Sequence, residues 1–172
     1  GTSNFRAGVG AGNSIVSGGN YNVLVGDQSG DGLTTGVGNT ALGNLSLSGV
    51  CTGNHNVALG QGAMTGNTTG YQNTAVGKSA LYTQTTGVNN IAVGWQAGYA
   101  VSTGTGNTLI GANAGSGLTT PNQNTFVGVG SGSTVTSGAN NTILGAYNGN
   151  SGGLDLRTAS NRIVLSDGDG NV

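Results

Sequence analysis

The stretch Asn73-Thr-Ala-Val-Gly77 is followed, seventeen residues on, by Asn90-Ile-Ala-Val-Gly94. The same Asn-x-x-x-Gly pentapeptide starts at Asn22, Asn39, Asn56, Asn107, Asn124 and Asn141, always at that interval, and an outlying copy at Asn4 lies eighteen residues before Asn22. A fixed period of this length decides the architecture, because each repeat is one unit that buries its apolar face by stacking on the next. Three residues before each regular Asn sits a glycine, Gly19, Gly36, Gly53, Gly70, Gly87, Gly104 or Gly138, with Pro121 in the remaining copy. Two glycines in most units argue against a helical repeat, since each costs about 1 kcal/mol in a helix interior. The residues between them are β-branched and aliphatic, which suits strands.

Each repeat therefore reads as one coil of an all-β solenoid or β-roll, with short strands joined by tight turns and coils about 4.8 Å apart. Gly77 and Gly94 belong to a column that admits only glycine, so they are expected at positive φ. Pro121 fixes φ near −65°, so the turn before the Asn is not expected to need positive φ. With the Asn as position 0, position +3 is always aliphatic, from Val25 to Leu144, and position +1 is aliphatic or Thr, from Val23 to Thr142. Period-two geometry puts these two columns on one face, read here as the coil interior. Position +2 then points outward: Leu24, Ala41, Ala58, Ala75, Ala92, Leu109, Phe126 and Ile143. An outward column without a polar residue implies a covering partner, so these eight side chains are expected at an interface between copies of the chain. Position +7 is small, Ser or Ala, except at Asn148. The Asn column fits either a coil-to-coil amide ladder or a set of turn residues.

The chain of 172 residues carries a net charge of −1, with 37 glycines, and between residues 32 and 154 its only charged side chain is Lys78. No basic patch is present to hold phosphates, so nucleic acid is not an expected partner. No apolar run approaches the roughly 20 residues a membrane helix needs, so no membrane insertion is expected. The repeats are taken as a shaft over 1–145. Residues 146–172 are taken as an irregular junction with a terminal strand at Asn161-Arg-Ile-Val-Leu-Ser166, leading to a further C-terminal region.

The repeats Asn73-Thr-Ala-Val-Gly-Lys-Ser-Ala-Leu81 and Thr86-Gly-Val-Asn-Asn-Ile-Ala-Val-Gly94 resemble those of bacteriophage tail fibres and related trimeric bacterial surface fibres. They are also similar to the Ser-Val-Ala-Ile-Gly repeats of trimeric autotransporter adhesin heads, although those use a shorter period. Asn161 to Asn171 resembles the stretch before the C-terminal intramolecular chaperone of many phage fibres. The resemblance implies a homotrimeric β-helical fibre, extracellular, on a virion or bacterial surface, attaching to a host-cell glycan or protein receptor. Two alternatives are an ice-binding solenoid, because Thr ladders on flat β faces suit that task, and the non-catalytic shaft of a tailspike enzyme.

Catalytic and cofactor chemistry is not expected. His55, the only histidine, occupies the variable position before Asn56 and reads as a solvent-facing spacer. Cys51, the only cysteine, stands in a Thr column and reads as a small packing residue. The five Asp lie near the chain ends, away from any Ser-His pairing. Asp167-Gly-Asp-Gly-Asn171 echoes the start of a calcium loop but lacks its acidic end, and reads as a turn. One aromatic group stands out. Tyr82 and Tyr99 share a column on adjacent coils, Trp95 lies beside them, and Lys78 precedes Trp95 in its column. Flat aromatics with a cation suit a carbohydrate; packing at a chain interface is the alternative role.

Overall fold

In a computed structural model the chain forms a parallel β-solenoid, with residues 3–49, 51–167, 169, 171 and 172 described. Nine strands follow the repeat: β1 (Phe5–Ala7), β2 (Val23–Val25), β3 (Thr40–Leu42), β4 (Val57–Leu59), β5 (Thr74–Val76), β6 (Ile91–Val93), β7 (Thr108–Ile110), β8 (Thr125–Val127) and β9 (Thr142–Leu144). A two-stranded hairpin, β10 (Asn150–Ser151) and β11 (Leu154–Asp155), precedes β12 (Ile163–Leu165). Strands β1 to β9 pair in sequence order, and β12 pairs parallel with β9, giving one ten-stranded sheet. The regular register matches residues seventeen apart, as in Ala75 with Ala92.

The Asn column is a ladder and also a turn cap. Asn73 Oδ1 accepts from the backbone N–H of Asn90 at 2.9 Å and from its Nδ2 at 3.3 Å. Asn73 Nδ2 donates to Asn56 Oδ1 and to the carbonyl of Gly87, in the turn that ends the same coil. Equivalent bonds run from Asn4 to Asn141, where the backbone N–H of Arg162 closes the series. Every amide from Asn22 to Asn141 is buried. The cost of burying a polar group is met because each has its partners.

This ladder reverses the expected facing of the strands. The Asn side chain points into the coil, and a strand returns to the same face two residues later. Leu24, Ala41, Ala58, Ala75, Ala92, Leu109, Phe126 and Ile143 are therefore interior, each fully buried within a single chain. They are core and form no outward stripe. Positions +1 and +3, expected inside, form the outer face of the sheet.

The sizes in the +2 column follow from packing across the coil. Position +8 comes back toward +2 and is left-handed in every regular coil, whether Gly30 (φ 60°), Leu47 (φ 50°), Met64 (φ 54°) or Leu81 (φ 48°). Ala41, Ala58 and Ala75 face coils with Leu47, Met64 and Leu81 at +8, all buried. Leu24, Leu109 and Phe126 share coils with Gly30, Gly115 and Gly132, where an added Cβ would lie 2.7, 2.6 and 2.3 Å from the larger side chain. The Ala92 coil has Gly98 at +8, and Leu81 and Leu109 reach in from the coils on either side.

Two glycine columns have separate causes. Gly77 and Gly94 have φ of 131° and 137°, as expected, and a Cβ on either would lie 2.4–2.5 Å from the carbonyl oxygen of the equivalent glycine one coil on. The glycines three residues before the Asn do not have left-handed φ; a Cβ at Gly53 would instead meet the Gly70 carbonyl oxygen at 2.0 Å. That column is set by close approach of backbones, in keeping with Pro121.

Two irregular coils are absorbed locally. Cys51 takes the interior place paired with Leu33, eighteen residues apart. Burial pushes its thiol pKa up, while bonds to the Gly53 carbonyl and the Asn67 amide act against that rise. After β9 the buried Tyr147 occupies the place of the small +7 residue, since its carbonyl accepts from Gly132 N as that of Ser131 accepts from Gly115 N. The phenol of Tyr147 donates to the Leu154 carbonyl, tying the β10–β11 hairpin to the core. Arg157 pairs with Asp155 at 2.7 Å and holds that carboxyl down, at a pKa of about 2.

Candidate functional site

The outer face of the sheet runs along the whole ten-stranded stack. Its two columns run Val23, Thr40, Val57, Thr74, Ile91, Thr108, Thr125, Thr142 and Val25, Leu42, Leu59, Val76, Val93, Ile110, Val127, Leu144. Leu42 is 51% exposed, Ile91 43% and Leu144 42%. At the last rung Ile163 and Leu165 extend the same apolar columns at 81% and 70% exposure. Thr is the only polar type from β2 to β9, and no charge interrupts the face there.

The segment from +5 to +9 forms a facing wall across the narrow interior. Here Tyr82 and Tyr99 stack with ring centroids 5.2 Å apart and planes within 1°. Tyr82 lies over Gly62 of the preceding coil, where a Cβ would make ordinary contact with its ring at 3.6 Å. Trp95 is 50% exposed and Lys78, one coil earlier in its column, is exposed. The backbone N–H of Gln96 donates to the Lys78 carbonyl at 3.0 Å, and that of Thr83 to the Tyr99 carbonyl at 3.2 Å, which fixes the two coils side by side. Lys78 and Trp95 therefore stand at one column position, and the stacked Tyr82 and Tyr99 at another, of two neighbouring coils.

The remaining wall carries an outward Thr or Ser ladder, Thr35 to Ser137, exposed in every coil. Beside it Asn89, Thr103, Thr105, Thr120, Asn122 and Gln123 line an open, uncharged groove of about 590 Å³. The sequence gives little notice of this groove, because it arises from three columns on three coils.

His55 is exposed, left-handed at φ 57° and set against Gly38 one coil below. Among the described residues no cluster of three or more His, Cys, Asp or Glu is placed to hold a metal ion. Asp167 Oδ1 accepts the backbone N–H groups of Asp169 and Asn171, an arrangement that closes a turn; Gly168 and Gly170 of that stretch lie outside the described residues. No helix among the described residues is long and apolar enough to cross a membrane.

No protein-family model matches the chain, and neither a curated protein nor a solved structure is significantly similar to it.

Proposed function

We propose that the chain is a structural segment of an extracellular fibre, on a virion or a bacterial surface, that spaces or presents a host-attachment site. The observation that carries this reading is the outer sheet face, two aliphatic and Thr columns without a charge from β2 to β9. Symmetric packing against identical faces covers such a surface, and cyclic closure ends the association at a defined size. The number three comes from the resemblance to trimeric fibres. The fibre reading also fits a shaft whose every coil is bonded to the next through buried amides.

The test is mass in solution at micromolar concentration. A homotrimer supports the reading; a soluble, folded monomer with the sheet face in water overturns it.

A second reading is favoured by one feature. Thr40, Thr74, Thr108, Thr125 and Thr142 stand in one outward column beside aliphatic residues, at coil spacing, on one parallel sheet. Hydroxyls and methyls set at coil spacing, unbroken from Thr108 to Thr142, suit adsorption to ice. Thermal hysteresis in a monomeric sample, abolished by Thr108→Tyr, selects this reading over the fibre.

A further inference from the structure

We infer that the wall bearing Lys78, Tyr82, Trp95 and Tyr99 binds an acidic saccharide. The patch lies across the interior from the sheet, so this inference does not require the sheet face to be occupied or free.

The patch breaks the composition of its own columns. Position +9 reads Asp31, Ser48, Thr65, Tyr82, Tyr99, Ser116, Ser133, and position +5 reads Asp27, Asn44, Gln61, Lys78, Trp95, Ala112, Val129. Aromatic rings occur in these columns only where the two coils meet. The core does not need them, because the interior of the same coils is already filled by Leu81, Ala80, Ala97 and Val101. Tyr82 and Tyr99 each give one ring face to the other. In these two columns the coil after Tyr99 carries only the small residues Ser116 and Ala112, beside an exposed Trp95 and a part-exposed Tyr99. A pyranose ring has one face of C–H groups, and a flat aromatic surface of this kind takes it up with loss of apolar area to water.

Lys78 supplies the selectivity. It is the only charged side chain between residues 32 and 154, it is exposed, and it sits one coil from Trp95 in the same column. With no carboxylate on the neighbouring coils, its ammonium is available for an acidic group on the sugar. The chemical class is thus a glycan with a carboxylate, such as a sialylated or uronic-acid saccharide.

Trp95 is the single tryptophan of the chain, so its fluorescence reports on this patch alone. The experiment titrates the full chain with 3′-sialyllactose and with a polygalacturonate oligomer, with lactose as the neutral comparison. The expected result is a saturable fluorescence change with an acidic probe that weakens at high salt. Tyr99→Ala is expected to weaken binding at least tenfold, and Lys78→Gln to erase the preference for the acidic probes over lactose. Trp95→Ala, followed by calorimetry, is expected to lower affinity with an unchanged melting temperature, and Tyr71→Ala, on another wall, to change neither. No saturable response to either acidic probe overturns the inference. So does binding that survives Trp95→Ala and Tyr99→Ala undiminished, or a loss of stability in Trp95→Ala with unchanged binding. Failure of the fibre reading appears separately, as a monomeric mass.

Discussion

A Cβ placed on Gly132 would lie 2.3 Å from the ring of Phe126, so the interior of that coil has room for one of the two side chains. The coil of Ala75 divides the same space the other way, with Leu81 at the position of Gly132. Most coils thus place one large side chain on one wall or the other, and in the Ala92–Gly98 coil Leu81 and Leu109 of the neighbouring coils reach in instead. A stack of similar backbones favours this, because a coil that swelled would break register with both neighbours.

The exchange predicts a strongly non-additive pair. Gly132→Leu alone overpacks the coil and is expected to cost at least about 1–3 kcal/mol. Phe126→Ala alone leaves a cavity and is expected to cost about 3–5 kcal/mol. The double variant reproduces the arrangement of Ala75 and Leu81, and is expected to be more stable than Phe126→Ala. Denaturant unfolding of the four proteins gives the coupling energy; simple additivity would show that the two positions do not share volume.

Among the described residues the interior also holds two unpaired polar atoms. Asn67 Oδ1 and Gln84 Oε1 are buried without a hydrogen-bond partner. Leu33, Val101, Leu118 and Val135 occupy the same column in other coils. The Gln84 amide does donate to the Gly87 carbonyl, but that carbonyl also receives Asn73 Nδ2 at 2.9 Å. Gln84→Leu therefore removes the unpaired oxygen without orphaning a backbone group. It is expected to raise stability by about 1–3 kcal/mol, the usual cost of an unsatisfied buried acceptor. A lower melting temperature would mean that the amide is satisfied by buried water.

The Asn ladder makes the opposite prediction. Asn73→Ala leaves the backbone N–H of Asn90 without its acceptor and is expected to cost at least about 1–3 kcal/mol. Asn73→Asp keeps the acceptor but turns the other oxygen toward Asn56 Oδ1 and the Gly87 carbonyl, which only a protonated carboxyl tolerates. Burial among acceptors raises the folded pKa of such an Asp. Its stability is then highest below the ordinary carboxylate pKa and falls as pH rises through the folded value. Melting temperatures across that range check the sign; a stability independent of pH would place the side chain in water.

The repeat period, the all-β solenoid and the positive φ of Gly77 and Gly94 were legible in the sequence, because a period and an invariant glycine each have few physical causes. The facing of the strands was not. Aliphatic residues at +1 and +3 outweigh an Ala-rich +2 column on hydrophobicity alone, and only the inward Asn ladder decides the phase. Buried Asn is costly unless fully bonded, so composition argues against placing it inside; the coil-to-coil partners that permit it come from stacking. The exchange of Ala75–Leu81 for Phe126–Gly132 was hidden because it joins columns six residues apart across the interior. The stack of Tyr82 on Tyr99 was legible, since residues seventeen apart share a column. Tyr147 in the +7 place was not, because it depends on a one-residue shift.

The facing of the strands separates two substitutions that sequence reasoning alone would treat alike. Ala75 is fully buried inside the coil, whereas Val76 is half-buried on the outer face. Ala75→Asp puts an unpaired carboxylate in an apolar interior, and is expected to unfold the chain whatever its state of association. Val76→Asp leaves the interior intact. In a monomer its carboxylate meets water, and the expected change in stability is within about 0.5 kcal/mol. In a fibre packed through the sheet face it becomes a buried charge repeated on every copy, so the assembly dissociates while each coil keeps its circular dichroism spectrum. Sedimentation together with circular dichroism reads both effects in one sample. Dissociated, folded chains for Val76→Asp, with unfolded chains for Ala75→Asp, assign the sheet face as the contact between copies. An assembly that tolerates Val76→Asp, Leu59→Asp and Val93→Asp without loss of mass is held together elsewhere, and the sheet face is then not the contact.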